Sequence, residues 1–557
     1  MIAVRLIYSD IGNAAPIKVT TWDALGYYMY LPAKYIYNDE KELKWFPEID
    51  SVYSLSGGEL YQASKHKSGN YVFKYLKGVS HLQLPFFAIA HYYALHTEHP
   101  ADGFSKPYQY AIAFGCLFYC LLAIFLLRSI LLKYFNDIAV AVTLFLLLLA
   151  SNFIQYIAIE GAQSHGYIFP LYVFILYVTI QWHIKPRIVW ALLIGFIIGV
   201  ATTCRPTEAV MLFIPLFWNT HSKELVKTKI DFFRRNYAHL FLVISGVFMG
   251  VLPQLLYWKR VTGSWVYDVG SKWDFLNPHF RVLFGGEKGW FIYTPVTLFF
   301  IIGMFLMKKS DYKKPVIIFC LLNIYIIISW HIWRYGGSYS CRALVQSYPL
   351  FAFPLAAFVE YALNAKLKIF FVLVFIYLTA VNLFQIKQYN KTIIHYADMN
   401  FMYYKAVYLN PNPDALDMSL LDTDEIIRDE KKYSTEIIYN NDAGIVLNGN
   451  DILWHSSIKA VKDKWLKFKV SLLAEKSTWG VHLKCLVKQD SVRETKIRLY
   501  NPLTVVGKLN TYEFFVKVNH DTNPVDVILL IEGNDDFKCQ VENITVKEYQ
   551  KTDIKQN

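Results

Sequence analysis

A series of long apolar runs constrains this chain more than any other feature. Ten runs rich in Leu, Ile, Phe and Val lie at about 108–132, 137–157, 166–184, 188–203, 207–219, 238–258, 290–307, 315–333, 347–363 and 367–386. A helix needs roughly 20 apolar residues to cross the hydrocarbon core of a bilayer. The run at 207–219 is short, and Pro206 predicts a break before it. The sequence therefore predicts a mainly α-helical, multi-pass membrane protein.

The amino terminus predicts one further span. Met1–Tyr8 is apolar but too short to cross a bilayer, and it has no signal-peptide core or cleavage site. We interpret it as the last turns of a first transmembrane helix whose start is missing. With this truncated helix counted, we expect about eleven spans.

The charges indicate how the chain is oriented. Only 18% of the residues are charged, against about a quarter in soluble domains. The net charge is +12, but Lys and Arg gather at every second connection between the apolar runs, which places those connections in the cytoplasm. We expect an integral protein of the plasma (bacterial inner) membrane, with its amino terminus inside and its carboxyl terminus outside. No basic soluble module interleaved with aromatic residues is visible, so we expect no binding to nucleic acid.

The pattern changes after the last apolar run. Residues 391–450 are polar and predict an external linker. From 451 to 557, apolar and polar residues alternate with period two, as in Leu466–Leu472, and predict an external β-sandwich with a jelly-roll-like arrangement. Residues 1–390 then form the membrane domain, with a long external loop at 9–107. Cys485 and Cys539 share the sandwich, and a disulfide between them is left open.

The external loop carries the leading candidate for catalysis. In the stretch TWDALGYY, Asp23 lies between Trp22 and the aromatic residues that begin at Tyr27. A carboxylate with aromatic neighbours next to a bilayer suits chemistry on a lipid-carried polar substrate. Asp is also a favoured helix N-cap. The two interpretations are compatible, and both remain open.

Most other candidates fall on the same predicted external side. Arg205, in ATTCRPTEAV, offers a guanidinium fork for a phosphate, or it is an interfacial residue that contacts lipid headgroups. Arg342 ends WHIWRYGGSYSCR, a stretch dense in aromatic and cationic residues. The candidate residues for the substrate pocket are Trp22, Tyr27, Glu160, His165, Lys272, Trp273, Arg334 and Tyr335. A lone His such as His165 is more often structural than catalytic.

These motifs resemble the GT-C superfamily of integral-membrane glycosyltransferases, with protein O-mannosyltransferases and aminoarabinose transferases the nearest in pattern. The resemblance covers about 1–390. It implies a sugar donor carried on a polyprenyl phosphate, with Asp23 as the general base. Many members have a second acid directly after the first, where this chain has Ala24. The motif therefore does not support a divalent metal, and we assign neither a metal ligand nor a cofactor.

The leading hypothesis is transfer of a sugar, with inversion, from a polyprenyl-phosphate donor to a hydroxyl of a protein, lipid or glycan at the outer face. Arg205 and Arg342 would bind the donor phosphate. The alternative is a transporter or flippase of a lipid-linked saccharide, which would place its polar site near the bilayer midplane. A third interpretation is a membrane anchor that displays the β-sandwich. It does not explain the many spans or the external arginines.

Overall fold

The computed structural model describes residues 2–7, 18–442, 444–459, 464–488, 491–518, 524–534 and 537–551. Within them the chain divides into two compact units, Met1–Ile386 and Lys387–Asn557. The first unit is helical apart from one short hairpin. The second is built mainly from β-strands.

The first unit opens with short elements ahead of the long apolar helices. They are α1 (Ile2–Ile7), α2 (Trp22–Tyr28), α3 (Tyr30–Tyr35), α4 (Phe46–Tyr53), β1 (Ala63–Lys65), β2 (Tyr71–Phe73) and α5 (Gly78–Leu95). Strands β1 and β2 pair antiparallel. Aromatic side chains such as Tyr28, Tyr30 and Phe73 fill the core of this part, so the segment that we predicted as an external loop is a packed structure and not an open loop.

The membrane part follows. Its helices are α6 (Lys106–Leu131), α7 (Asp137–Leu149), α8 (Ser164–Ile184), α9 (Ile188–Cys204), α10 (Phe213–Phe217), α11 (Lys223–Arg235), α12 (Tyr237–Thr262), α13 (Arg281–Phe284), α14 (Trp290–Tyr293), α15 (Leu298–Leu306), α16 (Lys313–Ile328), α17 (Tyr348–Asn364) and α18 (Lys368–Asn390). A π-helical turn covers Gln155–Ile159, and 3-10 turns cover Pro206–Leu212, Pro295–Thr297 and Arg342–Ser347. Helix α9 ends at Cys204 and the chain restarts at Pro206, which confirms the predicted break.

The helices fit a protein that is integral to a membrane. Five are long and apolar enough to cross one, namely Lys106–Leu131, Ser164–Ile184, Tyr237–Thr262, Arg342–Asn364 and Lys368–Asn390. Shorter apolar helices lie at Asp137–Leu149, Ile188–Cys204, Pro206–Phe217 and Pro295–Leu306. The expected count of eleven spans stays a prediction.

Helices α9 and α12 pack with their backbones in contact. Gly195 and Gly199 on α9 face Gly246 and Gly250 on α12, and the spacing of four residues puts each pair on one side of its helix. A Cβ at Gly195 would lie 1.9 Å from the carbonyl oxygen of Val243. Small residues at such spacing allow close helix approach in membranes.

The second unit contains α19 (Phe401–Val407), α20 (Ala415–Ser419) and nine strands. The strands are β3 (Tyr433–Asn441), β4 (Ile445–Asn448), β5 (Asp451–Ile458), β6 (Lys464–Ala474), β7 (His482–Lys488), β8 (Val492–Arg498), β9 (Leu509–Val518), β10 (Val525–Glu532) and β11 (Lys538–Lys551). They form a sheet in the order β5-β10-β7-β8 and a second in the order β3-β11-β6-β9, with β4 beside β11. The buried faces of both sheets belong to one hydrophobic core, as the period-two pattern predicts.

One feature of this unit differs from the sequence expectation. Helices α19 and α20 and strands β3 and β4 lie within 391–450, the stretch that we predicted as a linker. The disulfide that the sequence left open is not formed in the structure, where Cys485 on β7 and Cys539 on β11 are free, buried thiols.

Candidate active site

One pocket of the first unit gathers side chains that are far apart in the chain. Seven of the predicted site residues line it: Asp23, Tyr27, His165, Arg205, Trp273, Tyr335 and Arg342. Side chains of the segment before α6, of the starts of α8 and the Pro206 turn, and of the stretch that ends at Arg342 thus meet at one place. Four candidates, Trp22, Glu160, Lys272 and Arg334, are not among its lining residues.

Asp23 is fixed in the first turn of α2. The residue before it, Trp22, has a positive φ of 52°, a conformation that is rare for a bulky side chain. The backbone there is held by Leu55, whose carbonyl accepts from the Trp22 N–H at 3.2 Å, and by the Gln62 side chain, which donates to the Trp22 carbonyl at 3.1 Å. The N-cap position belongs to Thr21. The N-cap interpretation of Asp23 is therefore wrong.

The carboxylate of Asp23 accepts from three side chains. Arg342 Nη2 lies 2.5 Å from Oδ2. The hydroxyls of Tyr75 and Tyr61 donate to Oδ1 at 2.6 and 2.9 Å. Two carboxylate oxygens offer about four acceptor sites, so one site remains for a further donor.

This environment keeps Asp23 ionised. Burial alone would raise the pKa of Asp23, but the charge of Arg342 and the hydrogen bonds from Tyr75, Arg342 and Tyr61 outweigh burial and lower the pKa to about 2. Burial and the negative charge of Asp23 raise the pKa of both tyrosines. At neutral pH the cluster is thus a carboxylate anion held by two protonated phenols and a guanidinium.

The loop before Arg342 is tightly constrained. Tyr335, Gly336 and Ser340 all have positive φ angles. A Cβ at Gly336 would lie 3.3 Å from Arg342 Nη2, so glycine lets the chain pass close to the guanidinium. The buried ammonium of Lys288 donates to the carbonyls of Arg334, at 3.0 Å, and Gly336. These contacts fix the direction from which Arg342 enters the pocket.

A second network lies behind the pocket at the start of α8. His165 Nδ1 lies 2.8 Å from Gln346 Oε1, and Gln346 Nε2 donates to Glu208 Oε1 at 3.0 Å. The Tyr172 hydroxyl donates to the other oxygen of Glu208. An amide oxygen only accepts, so the proton of this network sits on Nδ1 of His165, and its Nε2 is an acceptor when the ring is neutral.

Arg205 stands beside this network. Its Nη1 lies 3.4 Å from His165 Nδ1, and within the described part of the chain no carboxylate forms an ion pair with it. Glu208, three residues on, is buried and is hydrogen-bonded to Tyr172 and Gln346 instead. Arg205 lines the pocket, and among the described residues none of its five N–H donors is paired with a carboxylate.

Several of these residues were missed by the sequence analysis. Glu208 is an acid inside the apolar run 207–219, and intramembrane ionisable residues are functional candidates by default, so that signal was present. Tyr61 and Tyr75 lie in an irregular stretch without periodicity, and nothing in the sequence links them to Asp23. Gln346 lies in the 3-10 turn just before α17 and has no motif of its own.

The candidates outside the pocket have other contacts. The ring of Trp22 covers Gly57, Glu160 accepts from Gln155 Nε2 at 2.9 Å, and Arg334 pairs with Glu287 at 3.5 Å. Lys272 contacts His331 through its backbone. These four side chains lie near the pocket without facing it.

The residues around Asp23 do not suit a cation. Its near neighbours are a guanidinium and two hydroxyl donors, which complement an anion. Among the described residues, no group of three or more His, Cys, Asp or Glu side chains could hold a metal ion. We derive no step through a metal.

No family model and no curated protein matches the sequence. Solved structures similar to this chain include an oligosaccharyltransferase from Archaeoglobus fulgidus, with 10% identity and a TM-score of 0.42, covering 74% of this chain and 58% of that one. ArnT from Cupriavidus metallidurans has 10% identity and a TM-score of 0.36, covering 61% and 57%. The arabinosyltransferase EmbB from Mycobacterium smegmatis has 10% identity and a TM-score of 0.30, covering 78% and 57%. This chain spans less than three fifths of each.

Proposed function

We propose that the chain is a membrane glycosyltransferase that moves a sugar from a polyprenyl-phosphate donor to an acceptor hydroxyl, with inversion. One observation carries the proposal. A single pocket joins a carboxylate that has one open acceptor site with a guanidinium that forms no ion pair with any carboxylate of the described residues. The first suits a hydroxyl that must lose a proton, and the second suits a phosphate that must leave.

Asp23 acts on the acceptor. The acceptor hydroxyl donates to the remaining acceptor site of Asp23, which takes the proton as the hydroxyl oxygen attacks the sugar carbon. A carboxylate with a pKa of about 2 is a weak base towards a free alcohol. The attacking hydroxyl becomes strongly acidic as its bond to carbon forms, so the proton moves late in the step. Direct displacement without a covalent intermediate inverts the sugar carbon.

The two arginines act on the donor. Arg205 places its planar donors against the phosphate, which gains charge as the sugar leaves. Arg342 holds Asp23 through Nη2 and has further N–H groups that can reach the same phosphate. A phosphate near Arg342 also weakens its hold on Asp23, which raises the basicity of the carboxylate when the donor is bound.

Aromatic side chains form the walls for the sugar. Tyr27 and Tyr75 contact each other with ring centroids 4.7 Å apart, and Trp330 and Tyr335 lie 4.6 Å apart on the other side. Rings of this kind cover the apolar faces of a sugar while their polar atoms keep hydrogen bonds. The acceptor class, whether protein, lipid or glycan, is left open by these contacts.

The proposal is tested with the full chain in lipid nanodiscs and a labelled polyprenyl-phosphate sugar. We expect the label to pass from the donor to added acceptor, and Asp23→Asn to abolish this product. Asp451→Asn, an exposed aspartate of the β-region, is the matched control and should retain it. In sealed vesicles, movement of the intact labelled lipid without any glycosyl product would support the transporter instead.

We also propose that the pocket opens on the outer face of the membrane. The described cysteines are all buried, so single introduced thiols report on their own. A cysteine replacing exposed Lys67 should react with an impermeant reagent in intact cells. One replacing exposed Thr228 should react only after permeabilisation. The reverse pattern would place the pocket on the cytoplasmic side.

A further inference from the structure

Helix α11 is amphipathic, and one of its sides packs against the neighbouring helices. Its inward side carries Leu225, Val226, Lys229, Phe232 and Phe233, which are buried or half-buried. Because this inward side is packed, the opposite side of the helix points away from the neighbouring helices.

Lys229 is the polar anchor of that inward side. Its ammonium donates to the carbonyls of Pro215 at 2.9 Å and Trp218 at 3.2 Å and to Nε2 of His183. The Lys229 ammonium is therefore hydrogen-bonded on the inward side and adds no charge to the outward side of the helix. The contact also locates α11 at the last turn of α8, because His183 is the residue before the last one of that helix.

Helix α11 therefore lies across the membrane from the candidate active site. His165 lines the pocket at the start of α8, and His183 is 18 positions later. At about 1.5 Å per residue, the two are roughly 27 Å apart, close to the roughly 30 Å thickness of a hydrocarbon core. This places the outward side of α11 at the opposite membrane surface.

The outward side carries a basic stripe, defined as Lys223, Lys227, Ile230 and Arg234. These residues are spaced i, i+4, i+7 and i+11, so they lie along one line of the helix. All four are exposed. The acids of the helix, Glu224 and Asp231, are turned away from the centre of this line, although Asp231 comes within 3.6 Å of Arg234.

The chain continues directly from the stripe into lipid. After Asn236 the candidate span α12 begins with exposed apolar residues, including Tyr237, Phe241 and Ile244. They repeat the spacing of the stripe, which is the pattern of a surface that faces acyl chains. Cations with an exposed isoleucine next to such a surface match the charged headgroups and the apolar boundary of a membrane.

We propose that the basic stripe of α11 binds the phosphate groups of anionic phospholipids at the membrane surface opposite the candidate active site. Lys223, Lys227 and Arg234 pair with headgroup phosphates, and Ile230 enters the acyl boundary between them. The inference does not depend on the proposed reaction.

The test measures binding of phosphatidylglycerol to the purified full chain, with phosphatidylcholine of the same chain length as reference. Native mass spectrometry counts the bound lipids, and thermal unfolding gives the stabilisation by each lipid. Lys223→Gln/Lys227→Gln/Arg234→Gln should lose the preference for phosphatidylglycerol, at about five-fold in affinity for each cation removed. Salt should weaken the wild-type preference in the same direction.

Two control variants make the outcome decisive. Lys65→Gln/Lys67→Gln/Lys508→Gln removes the same charge from exposed positions elsewhere and should keep the preference. Glu224→Gln/Asp231→Asn raises the charge of α11 and should strengthen it. An unchanged preference in the α11 triple variant would overturn the proposal. Competition by inorganic phosphate as effective as that by the lipid would overturn it too, because the site would then bind a free anion.

Discussion

The pocket contains two arginines that differ in their contact with a carboxylate. Arg342 touches its carboxylate, Asp23, at 2.5 Å. Arg205 has its carboxylate, Glu208, nearby in the chain but not in contact, and Glu208 is instead bonded to Tyr172 and Gln346. Asp23 thus occupies an N–H group of Arg342, whereas no carboxylate among the described residues occupies an N–H group of Arg205.

The difference separates two tasks that the sequence analysis gave equally to both residues. A direct ion pair fixes Asp23 in position and keeps it ionised, so in the proposed mechanism Arg342 acts on the acceptor as well as on the donor. Arg205 has no ion pair with a carboxylate among the described residues, which in the same mechanism suits a residue that binds the phosphate.

The largest expected effect is that of Asp23→Asn. The amide keeps the shape of the side chain but cannot serve as the base, so transfer should fall by roughly 100- to 10,000-fold. Donor binding should change little, because Arg205 is intact. Single-turnover rates and donor affinity measured on the folded variant check this. Near-normal transfer would remove Asp23 from the chemistry.

The two arginine variants should change different kinetic constants. In Arg205→Lys a fork becomes a point charge, which should weaken donor use by about 1–3 kcal/mol and raise the donor KM with kcat largely kept. Arg342→Lys should lower kcat as well, because Asp23 loses its fixed partner. Arg187→Lys, at an exposed position, is the control. Identical kinetic profiles for the two site variants would end the division of tasks.

A smaller effect is expected from Glu208→Gln. The Gln amide replaces one acceptor oxygen for Tyr172 or Gln346 with a donor, which should reduce the free energy of unfolding by about 1–3 kcal/mol. The donor KM should also rise, since His165 and Arg205 lose part of their support. Thermal unfolding and donor titration measure the two effects. A stable variant with an unchanged donor KM would show that Glu208 plays no part in holding the donor site.

The smallest effect concerns pH. The pKa of Asp23 in the folded chain, about 2, lies below its ordinary value of 3.8. Ionised Asp23 therefore contributes stability above about pH 4, and this contribution is lost as the pH falls from about 4 towards 2. The stability difference between wild type and Asp23→Asn should be constant from pH 8 to about 5 and shrink below. A titration of this difference near pH 6 would mean that Arg342 does not pair with Asp23 in solution.

The sequence predicted the classes of structure because they rest on periodicity. Apolar runs specify membrane helices by length, and alternation at Leu466–Leu472 specifies a strand with one buried face. The linker expectation for 391–450 differed from the structure because polar composition does not exclude order. There, Asp422 is bonded to Arg498 through several hydrogen bonds, a contact that no local pattern reveals.

The sequence predicted only those site residues whose type and immediate neighbours already suggest a chemical role. Arg205 is a charged group between two apolar runs, where charge is costly, and Asp23 and Arg342 are charged groups within stretches rich in aromatic residues. Tyr61 and Tyr75 belong to the site because the segment before α6 folds back on itself, and Gln346 because α17 begins beside α8. These are long-range contacts, and one sequence without periodicity at those positions contains no signal for them.

The glycine contact between α9 and α12 has a mechanical consequence. Because the backbones of α9 and α12 are in contact along their glycines, including Gly195 and Gly250, neither helix can rotate or slide without a steric clash. The two helices therefore move as one rigid unit. Arg205 follows the last residue of α9, and the same end of α12 leads into the segment that reaches Trp273. If a lipid donor enters the pocket as proposed, we expect the pocket to widen by movement of the 335–340 loop that leads to Arg342, and not by movement of these two helices.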